Sequence, residues 1–226
     1  MRILIIADIH GKFNVLQKIM EDVEGEHFDL IISQGDFTDM FDKMQNFTQM
    51  EIADIVLQKL MIPRKRMLCV PGNHDPYEIV NMFEDYGVNL HHKTKTVAGL
   101  TFVGWGGADT PFNTHFEPTE EETEEALAGL LKEKKGTWAL VTHAPPKDTK
   151  LDMVKPGNHV GSAAIRRIIT RNKPLFALCA HIHENRGTEK IGKTQVFYPG
   201  PAYEGYYGFV GTDKKTVTCE IKKAPL

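Results

Sequence analysis

Short apolar bursts alternate with helical rhythm in the first part of the chain. Arg2 to Ala7 is a compact apolar run that predicts a buried strand, and Phe13, Leu16, Ile19, Met20 and Val23 follow at the spacing of one helix face. Asp29 to Ser33 repeats the strand signal. After a polar loop a long helix is predicted from about Phe41 to Leu60, with Ile52, Ile55, Val56 and Leu60 on one face and Pro63 ending it. Arg66 to Val70 predicts a third strand, and Tyr77 to Tyr86 a short helix closed by Gly87.

The rhythm then changes. Lys93 to Val97 and Leu100 to Trp105 flank Ala98-Gly99 like the arms of a hairpin, so a second, partly antiparallel sheet is expected to start here. The acidic run Glu117 to Glu125 precedes the basic Lys132 to Lys135. Thr119 with Glu122 makes a capping box, and the basic end suits the helix dipole, so this stretch predicts a solvated amphipathic helix and not a ligand patch. Trp138 to Thr142 and Leu175 to Ala180 read as strands, Ser162 as the N-cap of a helix to about Asn172, and short strands with Gly-rich turns follow from Thr194. No repeat, low-complexity tract or linker interrupts the pattern. The expected fold is one α/β domain over residues 1–226, a four-layer α-β-β-α double β-sandwich with helices outside two packed sheets.

Composition changes little in this picture but excludes some partners. A net charge of -3, from 27 basic and 30 acidic residues, gives no global attraction to nucleic acid or anionic membrane. The apolar run Ile3 to Ala7 is too short for a signal sequence and is stopped by Asp8, and no stretch reaches the length of a membrane span, so a cytoplasmic protein is expected. Cys69, Cys179 and Cys219 are far apart and lie in apolar runs, which predicts small buried hydrophobes and no disulfide.

The ten histidines carry the chemistry. Asp8 and His10 follow the first predicted strand, Asp36 the second, Asn73 and His74 the third, His143 the Trp138 strand, and His181 and His183 the Leu175 strand. In α/β sheets the C-terminal strand ends form one rim, so these side chains are expected to converge. Imidazole, carboxylate and amide oxygen without thiolate suit borderline to hard divalent ions such as manganese, iron, zinc or nickel. They exceed what one ion needs and suit two ions about 3.5 to 4 Å apart with a bridging carboxylate. His27, His91 and His92 lie away from strand ends and read as surface residues. His115, in the loop Gly106 to Pro118, and His159, in the loop after His143, either overhang the expected rim or lie clear of it, and Trp105, Phe112 and Phe116 either stack a base or pack the loop.

Asp8-Ile9-His10, Gly35-Asp36-Phe37-Thr38-Asp39, Gly72-Asn73-His74-Asp75, His143 and His181-Ile182-His183 together resemble the signature of the calcineurin-like metallophosphoesterases. Thr142-His143-Ala144-Pro145-Pro146 and His159-Val160-Gly161-Ser162 narrow the resemblance to small prokaryotic phosphoesterases related to the cyclic-nucleotide phosphodiesterase branch. The resemblance implies Asp8, His10 and His183 on one metal, Asn73, His143 and His181 on the other, and Asp36 bridging. It implies two divalent ions as cofactors, Mn2+ first, with Fe, Zn and Ni as alternatives. His74 matches the family histidine that protonates or stabilises the departing oxygen, and Asp39 the carboxylate that orients it. Asp75 is either a helix cap or an outer support. Two departures stand out. Ala180 replaces the usual glycine before His-x-His, which predicts strain if that position needs positive φ, and Tyr198-Pro199-Gly200-Pro201 replaces Asn-Pro-Gly-Ser, removing a polar contact near the metals.

The implied reaction is hydrolysis of a small phosphate ester. Protein phosphatases of this family place an arginine directly after GDxxD, where Met40 stands here, which favours a phosphodiester, cyclic nucleotides among the candidates. Lys12, Lys147 and Arg186 are the cations able to fold over the site and favour a monoester instead. The alternatives are a phosphomonoesterase, a DNA or RNA nuclease, for which a basic stripe is missing, and a non-catalytic scaffold of the same fold, against which the full ligand set and His74 stand.

Overall fold

The structure is a computed structural model that describes residues 1–42 and 46–226. Two sheets account for most of its strands. In the first, β1 (Arg2–Ile6), β2 (Leu30–Ser33) and β3 (Arg66–Cys69) run parallel, and β12 (Tyr206–Thr212) and β13 (Val217–Lys223) extend it antiparallel beyond β1. In the second, β5 (Leu100–Trp105), β6 (Trp138–Thr142), β9 (Phe176–Leu178) and β11 (Thr194–Tyr198) are parallel neighbours, edged by antiparallel β4 (Lys93–Val97) and β10 (Gly187–Ile191). A separate two-stranded ribbon, β7 (Met153–Lys155) and β8 (Asn158–His159), stands between β6 and β9 in sequence.

Period-two alternation explains the layers. Ile3 and Ile5 of β1 face inward with Leu30, Ile32 and Leu68 to meet Phe102, Ala139, Val141, Phe176, Leu178 and Phe197 of the other sheet. Leu4 and Ile6 face outward onto α1 (Phe13–Asp22), α2 (Gln49–Met61) and α3 (Ile79–Asp85), through Leu16, Ile19, Val56, Leu57, Leu60 and Phe83. On the opposite side Val103, Leu140 and Ala177 face α4 (Glu120–Glu133) and α5 (Ala163–Asn172), through Leu127, Leu130, Ile165, Ile168 and Ile169. The section is therefore helix, sheet, sheet, helix, as expected from the sequence.

The long helix begins at Gln49 and not near Phe41. Thr48 and Glu51 form a capping box there, with the Thr48 hydroxyl accepting from Glu51 N and the Glu51 carboxylate accepting from Thr48 N at 2.8 Å. That cap outweighs the apolar spacing upstream, and part of the expected first turn lies outside the described residues. The acidic run is less solvated than expected. Glu120 accepts from the first amides of α5, at Ala163 N (3.0 Å) and Ala164 N, and Glu124 pairs with Arg167 (2.6 Å) and Arg171 (3.0 Å). The carboxylates of α4 thus hold the N-terminal end and exposed face of its neighbour. Cys69, Cys179 and Cys219 are free, the first two buried. No helix among the described residues is long and apolar enough to cross a membrane.

Candidate metal centre

All the parallel strands that precede the polar groups end along one rim, so loops from both sheets meet there. Asp8, His10, Asp36 and His183 form one cluster and Asp36, His143 and His181 a second, with their ligating atoms within 4.8 Å of one another in each cluster. Asp36 belongs to both. Its Oδ2 lies 3.5 Å from His10 Nε2 and 3.4 Å from His143 Nε2, and His183 Nε2 lies 3.5 Å from Asp8 Oδ1. The Asn73 amide oxygen sits 3.0 Å from His143 Nε2, which brings it to the second cluster.

Backbone conformation makes this convergence possible. Asp8 (φ 53°), His10 (φ 48°), Asp36 (φ 52°) and His181 (φ 77°) are all in the left-handed region, which Asp and His adopt more readily than most side chains but still at a cost. At the junction of the β2 and β3 loops, a Cβ on Gly72 would lie 2.0 Å from Asp36 Oδ1, so only glycine lets the two loops touch. The contact lets His74 N donate to Asp36 Oδ1 at 2.9 Å. The strain anticipated at Ala180 does not arise, because the left-handed residue is its neighbour His181; Ala180 N donates to His143 O at 2.8 Å.

The remaining atoms of the cluster are aimed by groups around it. His143 Nδ1 lies 2.7 Å from the Gln34 carbonyl, an acceptor only, which places a proton on Nδ1 and turns Nε2 toward Asp36 and Asn73. Asn73 Nδ2 donates to Thr114 Oγ1 at 3.1 Å, and Thr114 in turn donates to the Glu117 carboxylate, so the amide cannot flip its oxygen away. Asp8 Oδ2 accepts from the buried Tyr198 hydroxyl at 2.6 Å, and Asp8 Oδ1 from His181 N at 3.2 Å. Tyr198 thus supplies a polar contact where the sequence suggested one was lost. Asp75 is buried and accepts from Gly72 N (2.8 Å), Thr38 N (3.0 Å) and Thr38 Oγ1 (3.1 Å), joining the two loops; α3 has Glu78 at its N-cap, so Asp75 is no helix cap.

Electrostatics shows what the cluster lacks. Burial disfavours charge on His143, but Asp36 outweighs it and pushes the imidazole up to about 9. Burial and the neighbouring His143 push His181 down to about 3, leaving a neutral imidazole with a lone pair to donate. His10 Nε2 and His183 Nε2 face each other at 3.2 Å. Asp36 Oδ2 is buried with no hydrogen-bond partner among the described residues. A buried carboxylate oxygen ringed by imidazole nitrogens, and satisfied by none of them, calls for positive charge between the groups. The donor set of imidazole, carboxylate and amide oxygen fits divalent cations there.

His74 and Asp39 form a further pair beside His10, with His74 Nδ1 3.2 Å from Asp39 Oδ1 and His10 Nδ1 3.7 Å from Asp39 Oδ2. Burial opposes protonation of His74, yet the bond to Asp39 raises its affinity for the proton; the same bond holds the Asp39 carboxyl well below the usual range. The Phe41 ring meets His74 edge to face at 5.3 Å. Of the three cations expected near the site, Lys12 pairs with Asp42 at 2.6 Å and Arg186 lies over the Tyr206 ring, while Lys147 lines a cavity together with His181. His91 is half-buried, not a surface residue, accepting from Gly106 N at 2.9 Å and stacking on Trp105, whose indole donates to Thr123. Trp105 and Phe116 therefore pack the loop.

The sequence model of one family, described as calcineurin-like phosphoesterase, matches residues 1–185. An uncharacterized protein of Methanocaldococcus jannaschii is 36% identical over 207 residues, spanning 89% of this chain and 88% of its own. Among solved structures, a Thermus thermophilus protein superposes with a TM-score of 0.74 at 21% identity, covering 96% of this chain and 97% of its own. A structure described as a novel archaeal phosphodiesterase gives a TM-score of 0.56 at 14% identity, covering 98% and 100%. At such identities these two likenesses concern the fold.

Proposed function

Because the chain belongs to the calcineurin-like phosphoesterase family, we propose that it is a dinuclear-metal-dependent phosphodiesterase acting on small esters, cyclic nucleotides among the candidates. One observation carries the two-metal reading: Asp36 Oδ2, shared by both clusters, is buried and unpartnered. In this reading Asp8, His10 and His183 hold one ion, Asn73, His143 and His181 the other, and Asp36 both, with Mn2+ preferred over Fe, Zn and Ni. When bound, the ions supply Lewis acidity, activating water for in-line attack and drawing charge from the phosphoryl oxygens.

The chain's own groups do the rest. His74, oriented through Nδ1 by Asp39, presents Nε2 as the proton donor to the departing oxygen. The Gln34 carbonyl and the Thr114 hydroxyl fix the faces that His143 and Asn73 turn inward. The diester preference rests on Met40 standing where a guanidinium would clamp a dianion, and on Lys12 and Arg186 being engaged elsewhere, which leaves Lys147 of the three candidate cations near His181. A panel of monoesters, linear diesters and cyclic nucleotides assayed with Mn2+ tests it: a diester is expected to give the highest kcat/KM, and a monoester or single-stranded DNA in first place would contradict it.

Tyr198 supports Asp8 in the same scheme. Tyr198→Phe keeps the buried ring and removes only the donor to Asp8 Oδ2. The variant is expected to bind the ion held by Asp8, His10 and His183 roughly 10- to 100-fold less tightly, as loss of a group supporting a ligand typically does. Metal titration of the stripped protein reads this directly.

A further inference from the structure

The segment between β6 and α5 is organised around one carboxylate. Asp152 is fully buried and accepts from Asp148 N (3.1 Å), Thr149 N (2.8 Å), Gly161 N (3.0 Å) and His159 Nδ1 (2.8 Å). A Cβ on Gly161 would lie 2.9 Å from Asp152 Oδ2 and 2.7 Å from Pro145 O, so the approach of this loop to the carboxylate depends on glycine. The outcome is a steered imidazole. Nδ1 is committed to Asp152, the side chain is 30% exposed, and it lines a cavity of about 270 Å³ together with His181. Two histidine–carboxylate pairs therefore adjoin the metal centre: His74–Asp39 beside His10, where the ring centroids are 5.0 Å apart, and His159–Asp152 in the cavity shared with His181.

The charge around the cavity selects its ligand. Lys147 and His159 line it on the positive side, Asp109 and Glu120 on the negative, and Glu120 is already committed to the amides of Ala163 and Ala164. Such a balance offers hydrogen bonds without strong attraction for a second phosphate. A phosphodiester hydrolysed with its leaving group at His74 keeps one ester substituent. We infer that the cavity takes this retained substituent, a hydroxylated alcohol such as the sugar of a nucleoside, and that His159 Nε2 hydrogen-bonds one of its oxygens. The inference rests on the diesterase reading and adds a specificity-determining residue to it.

Three esters with one leaving group test it: p-nitrophenyl thymidine 5′-phosphate, methyl p-nitrophenyl phosphate and the monoester p-nitrophenyl phosphate, on wild type, His159→Ala and His159→Gln loaded with Mn2+. His159→Ala is expected to lower kcat/KM for the thymidine ester about tenfold, mainly through KM, and to leave the other two esters within twofold. His159→Gln, which keeps a donor, is expected to recover part of the loss. Equal loss on all three esters, or no loss on any, overturns the role of His159 while leaving the diesterase reading intact. A wild type inert on both diesters overturns that reading and this inference together.

Discussion

Asp36→Asn is expected to abolish the double metal centre while leaving the fold in place. The substitution is nearly isosteric, and the amide oxygen can still accept from His74 N, the bond that ties the β2 and β3 loops. What is lost is the second oxygen, the one that faces His10 and His143 with no hydrogen-bond partner. An amide presents an NH2 group there, which cannot ligate a cation. Since Lewis-acid stabilisation of a phosphoryl transition state is worth several kcal/mol, kcat is expected to fall by roughly 10³-fold or more. Circular dichroism should match wild type, which separates loss of the bridge from loss of the fold. Retention of wild-type rate would mean that Asp36 does not act as the bridge.

His74→Ala should show a loss that depends on the leaving group. A positioned acid contributes about 10²- to 10⁴-fold when the departing alkoxide needs a proton. Loss of that size is expected on an alkyl ester, and less than about tenfold on a nitrophenyl ester, whose phenolate leaves unaided. The comparison matters because His74 also touches the cluster structurally: its amide binds Asp36 and its ring lies 5.0 Å from that of His10. The backbone amide survives in the variant, so an equal loss on both esters would assign His74 to electrostatic support and not to proton transfer.

The parts of this arrangement that were legible in the sequence are those fixed by local chemistry. Alternation in Ile3 to Ile6 sets two faces of a strand, and polar groups at strand ends converge wherever the strands are parallel, so the layers and the cluster both follow from short stretches read separately. Thr48 and Glu51 show the reverse case. Their capping box was present in the sequence, but the apolar residues near Phe41 matched helical spacing and drew the expected start eight residues too early. Phe41 instead lies in the turn after Asp39, where its N–H donates to Asp39 Oδ1 at 2.9 Å.

What was not legible depends on distant segments meeting. Tyr198 reaches Asp8 across 190 positions, and nothing local to a Tyr-Pro-Gly-Pro stretch announces that its hydroxyl ends on a carboxylate. Thr114 holding Asn73, and Gln34 holding His143, are of the same kind. Positive φ at Asp8, His10, Asp36 and His181 falls on residue types that tolerate it better than most, but that tolerance does not mark which Asp or His will adopt it. Ala180 illustrates the point: a glycine-to-alanine difference suggested strain, and the backbone places the left-handed turn one residue later.

The two-ion centre is tested most directly by counting metal. Chain stripped with chelator, reloaded with Mn2+ to saturation and freed of excess ion should carry two ions per chain by elemental analysis, and Asp36→Asn treated identically should carry no more than one. A wild type that saturates at one ion, or at none, would contradict the assignment of these side chains to a dinuclear centre.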